Sequence, residues 1–301
     1  QDAAVAASIC PRACSCMPWR LHQAMRTFCK RATRCCWPRA SDSLVVGHGR
    51  CRGLAQVAVA AAAYASLARC RRASTFTQSS AAGSASPALG LGDTRILAHA
   101  EVVPYGVLGS SSAGPVAPEP DAETAFVDPA GLHHIRGGPG GAGGAAGVIY
   151  RWLGIAGERS FPEPVKAAVT APLLAKFHAY GASGEKKCIH VIGPDLRARH
   201  YTLAKATEEL SEAYKNVFAE FYSSGLHRLR LLPVSGGIFS GPFGEQLPQI
   251  TAEALAVGFS KLPEEQQQHL LDSHVEMCIF LEEKVEGFRQ AFKAHLGAAK
   301  L

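Results

Sequence analysis

The chain is predicted to fold as an α/β protein with three layers, in which helices cover both faces of a mixed, mostly parallel central sheet. After residue 95, apolar segments of strand length alternate with amphipathic segments of helical length. This alternation is typical of parallel sheets with helices on both faces. Two glycine-rich segments also follow predicted strands, at the edge of such a sheet where ligands usually bind.

The first 90 residues differ in charge from the rest of the chain. They carry twelve Lys and Arg residues and two acidic residues, whereas the other 211 residues carry 19 basic and 23 acidic ones. The formal net charge of +6 is thus the sum of +10 and −4. A basic surface that binds nucleic acid is therefore not expected in the folded part.

The cysteines are distributed in the same uneven way. Eight of the ten lie before residue 71, and only Cys188 and Cys278 follow. A secreted disulfide scaffold would spread its cysteines through the folded part. The early cysteines lack the paired CxxC spacing of a zinc site, so no metal is expected there. No cofactor is expected for the chain. Cys188 and Cys278 lie in apolar segments and are expected to be buried thiols.

Residues 1–90 are interpreted as a targeting leader and linker, cleaved or poorly ordered, and residues 91–301 as the folded domain. From Met25 onward the leader is rich in arginine and poor in acidic residues, which is typical of a mitochondrial presequence. The apolar run Leu54 to Leu67 resembles a signal-peptide core and leaves a plastid as the alternative destination. It is shorter than the ~20 residues of a membrane span, and no transmembrane segment is expected in the domain. A solvated basic arm that binds RNA or lipid is the other alternative.

Hydrophobic periodicity predicts the elements of the first half of the domain. Ile96 to Val103 is a candidate strand, and Ala125 to Val127 is a short strand that ends at Asp128. A helix is predicted from Ala145 to Gly154, because glycine commonly ends helices. Pro162 to Leu174 is compatible with either a helix or a strand.

In the second half of the domain, predicted strands and helices alternate more regularly. Lys187 to Ile192 is predicted as a buried strand. Thr202 to Ser223 is the clearest helix, because apolar residues recur there at steps of three and four. Arg228 to Val234 is predicted as a strand. The remaining predicted elements are a helix with Thr251 as N-cap, a polar helix around Glu264 to Leu271, a strand Val275 to Leu281 and an amphipathic C-terminal helix.

Two glycine-rich loops are the candidate binding elements. Leu231 to Phe243 runs from an apolar strand into a loop of small residues, and Gly137 to Gly147 leads into the helix that starts near Ala145. Small residues leave backbone N–H groups open, and such groups at a turn or a helix start bind phosphate. The two loops could hold two ends of a diphosphate, whereas each loop alone is equally compatible with ordinary turn chemistry.

Three segments resemble the macro domain family, whose members bind ADP-ribose and related nucleotides. Gly140 to Arg151 is similar to the first loop of the family and the helix after it. His190 to Pro194 is similar to the central strand, and Ser235 to Gly241 is similar to the second loop. The order and spacing of the segments also agree, and the resemblance covers the chain from about Ala122 to its C-terminus.

The resemblance implies a macro-domain-like fold and a site for ADP-ribose or a related nucleotide diphosphate. Backbone amides of both loops would surround the diphosphate, and Phe239 would lie beside the distal ribose, unless it is simply a core residue. The implied ligand-binding residues are Gly131, Gly143, Gly144, Gly147, Val148, Ser235, Gly236, Gly237, Ile238, Phe239 and Ser240.

The chain departs from the pattern of hydrolytic family members. Asp128 and Gly131 stand where those members have asparagines, and Ala145 or Ala146 stands where they have an acidic residue. Strong catalysis is not expected, because alanine can neither position nor activate a water. Two alternatives remain open. One is an accessory subunit of a larger organellar complex with a vestigial pocket, and the other is an ADP-ribosyl hydrolase that uses Asp128 as base.

Other catalytic chemistry is less well supported by the sequence. His133 and His134 are expected in a strand, where neighbours point to opposite faces, and they have no third metal ligand. His190 is expected to be a satisfied core histidine. Residues Gly138 to Gly144 lack the lysine of a phosphate-binding NTPase loop.

Overall fold

The computed structural model describes residues 92–197 and 201–298. The leader predicted for residues 1–90 lies outside these ranges. The strands are β1 (Glu101–Val103), β2 (Ser110–Ser111), β3 (Gly114–Pro115), β4 (Thr124–Pro129), β5 (Ala175–Tyr180), β6 (Lys186–Val191), β7 (Arg228–Leu231) and β8 (His274–Cys278). The helices are α1 (Arg95–His99), α2 (Leu132–Gly137), α3 (Gly144–Leu153), α4 (Glu163–Ala168), α5 (Leu203–Ser224), α6 (Leu247–Ser260), α7 (Glu264–Leu271) and α8 (Glu282–Ala298), with a 3₁₀ turn at Ile238–Phe243.

The six-stranded main sheet has the order β1-β8-β7-β4-β6-β5, and β2 and β3 form a separate hairpin. Every neighbouring pair of the main sheet is parallel except β5 and β6, which are antiparallel. The carboxyl ends of five strands therefore meet at one edge of the sheet. This mixed, mostly parallel sheet confirms the predicted fold class.

Two separate apolar clusters cover the two faces of the sheet. One contains residues of α1, α5, α6, α7 and α8, with Phe218 and Phe259 fully buried in it. The other contains residues of α2, α3 and α4, with Tyr150 and Phe161 packed near Phe126 of β4. Helices on both faces give the three layers that the alternation of elements predicts.

The segment 104–120 packs on the same face as α3 and is attached through a nearly buried ion pair. Arg230 Nε lies 2.8 Å from Glu276 Oε2, and both side chains are only 11% exposed. Arg230 also donates to the carbonyl of Pro118 at 2.9 Å, and the Tyr105 hydroxyl donates to Glu276 Oε1 at 3.0 Å. The segment also contains the β2–β3 hairpin.

Helix α5 confirms the prediction made from periodicity. Thr202 is its N-cap, because its side-chain oxygen accepts from the N–H of Lys205 at 3.2 Å. Gly225 ends the helix with a left-handed φ of 67°, a conformation that glycine adopts without strain. Gly154 ends α3 in the same way, as predicted. Local end signals and a long apolar stripe agree in both helices.

The predicted strand Ile96 to Val103 is wrong in its first half. Residues 95–99 form α1, and only Glu101–Val103 pairs with β8. A carboxylate oxygen of Asp93 accepts from the N–H of Arg95 at 3.0 Å, which favours a helical first turn. A short apolar run fits a strand and a buried helix equally well, so periodicity alone could not decide.

Two further elements differ from the predictions, and the structure decides a third that the sequence left open. Helix α6 begins at Leu247, and Thr251 is buried inside it instead of capping it. Pro248 in the first turn is the signal in the sequence for this helix start. The ambiguous region Pro162 to Leu174 contains α4. Strand β5 was not predicted, because its half-buried residues include alanine and lysine, which are poor strand formers.

Among residues 92–197 and 201–298, no helix combines the length and the apolarity that crossing a bilayer requires.

Candidate functional site

Two glycine-rich loops lie in the chain beyond the neighbouring parallel strands β4 and β7. Loop A is defined as residues 137–147 and is separated from β4 by the short helix α2. Loop B is defined as residues 232–243 and follows β7 directly. Because β4 and β7 are parallel, the chain leaves both at the same edge of the sheet, where ligands of such sheets bind.

Loop A ends in an uncapped helix start. Helix α3 begins at Gly144, and its N-cap Gly143 makes no side-chain hydrogen bond. A Cβ added to Gly147 would lie 2.2 Å from the carbonyl oxygen of Ala142, so the loop packs directly on the first turn. The N–H groups of that turn and the positive end of the helix dipole can therefore interact with an anion.

Loop B is fixed by contacts with the residues that follow β6. Ser235 has a left-handed φ of 59°, which costs a non-glycine residue about 1 kcal/mol. Its hydroxyl donates to the carbonyl of Pro194 at 2.7 Å. The N–H of Leu196 donates to the carbonyl of Phe239 at 2.9 Å. Gly237 precedes the 3₁₀ turn. Because glycine has no side chain, the first N–H groups of the turn have no side-chain cap.

Tyr214 of α5 holds the base of loop B. Its side chain is fully buried, and its hydroxyl donates to the carbonyl of Leu232 at 3.1 Å. The same hydroxyl accepts from the N–H of Val234 at 2.9 Å. Burial raises the pKa of Tyr214, so the phenol stays protonated and keeps both bonds at neutral pH.

The predicted ligand-binding residues differ in exposure. Two of them are large apolar side chains that lie open to solvent: Ile238 of loop B is 73% exposed, and Val148 of α3 is 45% exposed. Exposed aliphatic side chains beside open amides provide apolar surface that a bound sugar or base can cover. Gly131, Gly147 and Ser235 are buried, Gly236, Phe239 and Ser240 are half-buried, and Gly143, Gly144 and Gly237 are exposed.

Asp128 lies in the interior. Its Oδ2 is 2.7 Å from Nδ1 of His190, and both side chains are fully buried. Nε2 of the same histidine is 2.7 Å from the Tyr180 hydroxyl. His190 is therefore a satisfied core histidine, as the sequence predicts. A carboxylate without exposed surface has no access to a ligand, which argues against Asp128 as a general base.

The groups around this pair stay protonated. Burial, followed by the charge of Asp128, raises the pKa of Tyr150, and burial also raises the pKa of Tyr180 and of the Cys188 thiol. Asp128 Oδ1 and the Tyr150 hydroxyl are both buried without a well-aligned hydrogen bond to any described residue. The cluster is a buried polar network and contains no activated nucleophile.

His133 and His134 lie in helix α2 and not in a strand, which corrects the prediction. Their ring centres are 3.9 Å apart, so the two side chains are neighbours. Burial and the adjacent His133 lower the pKa of His134. The helix follows from Gly131, which ends the extended chain after β4 as N-cap. Within the described ranges, no three potential metal ligands cluster.

Two residues near loop B were not identified from the sequence. The Tyr214 hydroxyl is invisible to periodicity, which only predicts that its ring is buried. Arg197 was not singled out, yet its guanidinium carbon lies 4.8 Å from the centre of the Phe239 ring. The only signal for Arg197 in the sequence is its position shortly after a predicted strand and two residues after Asp195.

Comparison with known proteins shows similarity to macrodomains among solved structures. No protein-family profile matches the chain, and no curated protein matches it. A macrodomain of Oceanobacillus iheyensis with ADP is 15% identical at a TM-score of 0.42, covering 65% of this chain and 91% of its own. A Trypanosoma brucei macrodomain in complex with ADP-ribose is 16% identical at a TM-score of 0.42, covering 65% and 70%.

A third similar structure is that of an alphavirus P23pro-zbd protein. It is 20% identical at a TM-score of 0.39, and the match covers 56% of this chain and 21% of that one. These similarities concern the fold.

Proposed function

We propose that the domain binds ADP-ribose or a related nucleotide diphosphate and has no strong catalytic activity. The observation that carries the proposal is the pair of uncapped turns, the start of α3 at Gly144 and the 3₁₀ turn after Gly237. Both belong to loops reached from neighbouring parallel strands. Backbone N–H groups arranged in this way bind phosphate oxygens.

The composition of the loops supports a diphosphate bound by amides. Neither residues 137–147 nor residues 232–243 contain a charged side chain. Amide dipoles can neutralise phosphate charge without a lysine, so the net charge of −4 on residues 91–301 does not exclude an anionic ligand. The exposed Ile238 and Val148 add apolar surface for the sugar or base. ADP-ribose is the ligand that the sequence resemblance implies.

The residues at the start of α3 support binding over catalysis. Ala145 and Ala146 offer no group that could activate a water. Asp128, the candidate base of the hydrolase alternative, is fully buried against His190. A hydrolase would need a base within hydrogen-bond reach of its water.

Titration of ADP-ribose into the 301-residue chain by calorimetry tests the proposal. We expect saturable binding with one site per chain, and no binding of adenosine, which lacks the diphosphate. Incubation with an ADP-ribosylated protein is expected to release no ADP-ribose. Release of ADP-ribose would establish the hydrolase alternative.

The accessory-subunit alternative predicts a different outcome of the same experiment. An absence of ADP-ribose binding, together with co-migration of the chain in a large native complex, would replace the nucleotide proposal by that role. Binding of ADP-ribose by the chain outside any complex would contradict a vestigial pocket.

The composition of residues 1–90 supports import into the mitochondrion, with a plastid as the alternative. These residues carry a net charge of +10, and arginine-rich, acid-poor leaders are typical of organelle import. A fusion of residues 1–90 to a fluorescent protein is expected to co-localise with a mitochondrial marker. A matched fusion with glutamine in place of each arginine is expected to lose this localisation. A diffuse signal from the unmodified fusion would contradict the proposal.

A further inference from the structure

We propose that Arg197 is an anion-binding residue of loop B, which leaves Asp195 and binds the diphosphate of the ligand. This inference rests on the proposed function, because it adds a charged contact to a site otherwise made of backbone amides. Arg197 is half exposed, and its guanidinium carbon lies 4.8 Å from the Phe239 ring centre. Stacking on an aromatic ring places the guanidinium beside the ligand-facing part of loop B.

The segment that carries Arg197 is attached to loop B at three points. Ser235 Oγ donates to the carbonyl of Pro194, and the N–H of Leu196 donates to the carbonyl of Phe239. A Cβ added to Gly241 would lie 2.6 Å from the carbonyl oxygen of Leu196, so the two backbones are in direct contact. The backbone position of Arg197 relative to loop B is therefore fixed, and only its side chain needs to move.

Asp195 holds the guanidinium in the absence of a ligand. Nε of Arg197 donates to Oδ1 at 2.7 Å and Nη2 donates to Oδ2 at 2.6 Å. The two side chains are 52% and 48% exposed. An exposed pair of this kind contributes little to stability, so a phosphate group can displace the carboxylate. The planar fork that fits a carboxylate also fits two phosphate oxygens.

The charges around Arg197 favour transfer of its guanidinium from Asp195 to a phosphate group of the ligand. Loops A and B have no charged side chain, so Arg197 brings a full positive charge to the amides of loop B. A diphosphate carries more negative charge than the Asp195 carboxylate and gains more from the guanidinium. The site is thus expected to select for ligands with a diphosphate at loop B, by charge as well as by amide hydrogen bonds.

Calorimetric titration of the 301-residue chain with ADP-ribose at low and high salt tests the role of Arg197. We expect Arg197→Ala to weaken binding about five- to tenfold at low salt and to reduce the dependence of Kd on salt. Arg197→Gln keeps much of the side chain and loses the charge, and it is expected to behave like alanine. Arg197→Lys is expected to be intermediate. Asp195→Asn is expected to tighten binding about twofold, because a competing carboxylate is removed.

The chain offers a matched control for loss of an exposed arginine. Arg228 lies at the amino end of β7, away from loop B, and its Nη1 is 2.9 Å from Asp121 Oδ2. Arg228→Ala is expected to leave the affinity and its salt dependence unchanged. Thermal unfolding of each variant establishes that it is folded. Wild-type affinity in Arg197→Gln would show that Arg197 only packs on Phe239 and would overturn the proposal.

Inorganic pyrophosphate separates this inference from the proposed function. Binding of pyrophosphate that Arg197→Ala abolishes, without binding of ADP-ribose, would overturn the nucleotide proposal and support the anion-binding arginine. Equal binding of ADP-ribose by the wild type and Arg197→Ala would overturn the arginine proposal alone. Failure of the wild type to bind either probe would overturn both.

Discussion

Replacing Asp128 by alanine is expected to lower the free energy of unfolding by about 3 to 5 kcal/mol. The carboxylate is fully buried, and its Oδ2 lies 2.7 Å from Nδ1 of His190. Its removal leaves Nδ1 of the buried imidazole with only the weak contact to Cys188 Sγ at 3.9 Å, and it leaves a cavity beside Tyr150. Urea denaturation followed by circular dichroism measures the change.

The control for this prediction breaks an exposed ion pair. Arg228→Ala removes the partner of Asp121 where both side chains are about half exposed, and the expected loss is at most ~1 kcal/mol. Asp128→Asn keeps the shape and one hydrogen-bond acceptor, so it is expected to destabilise less than alanine. A loss for Asp128→Ala no larger than that for Arg228→Ala would show that the buried pair contributes little to stability.

Replacing Gly147 by alanine is expected to weaken ADP-ribose binding by about tenfold or more, equivalent to ~1.4 kcal/mol. A Cβ at this position would lie 2.2 Å from the carbonyl oxygen of Ala142, so loop A must move away from the first turn of α3. Glycine to alanine within a helix ordinarily stabilises by about 0.5 to 1 kcal/mol. A decrease in stability together with weaker binding, by thermal unfolding and calorimetry, therefore identifies the close contact as the cause.

The matched substitution is Gly157→Ala. A Cβ on this exposed glycine would meet no atom within 4 Å, so neither stability nor affinity is expected to fall. If Gly147→Ala bound ADP-ribose as tightly as Gly157→Ala does, loop A would not form part of the binding site.

The elements that the sequence predicted best are those whose own residues determine their conformation. Helix α5 has an apolar stripe over 22 residues and a capping residue at each end, and β6 ends in four buried residues, Cys188 to Val191, of which only His190 is polar. Helix α1 and strand β5 were missed because their identity depends on their neighbours. Strand β5 owes its conformation to antiparallel pairing with β6, which its half-polar residues do not reveal.

The candidate site was predictable to a similar degree. Glycine-rich segments after strands indicated both loops, because open amides require small residues. The burial of Asp128 was not predictable, since it depends on the register that places Asp128 opposite His190 across two strands distant in sequence. The contact of Arg197 with Phe239 likewise depends on the packing of two separate loops.

Tyr214 connects loop B to the apolar core. Its ring belongs to the apolar cluster under α5 and α6, while its hydroxyl bonds the backbone of Leu232 and Val234. The geometry of loop B is thereby tied to the packing of α5 against the core, because Val234 of loop B and the Tyr214 ring belong to the same apolar cluster. Binding of the proposed ligand to loop B is expected to slow hydrogen exchange of the backbone amides of α5. Substitutions in α5 are therefore expected to change the affinity for the ligand without contacting it.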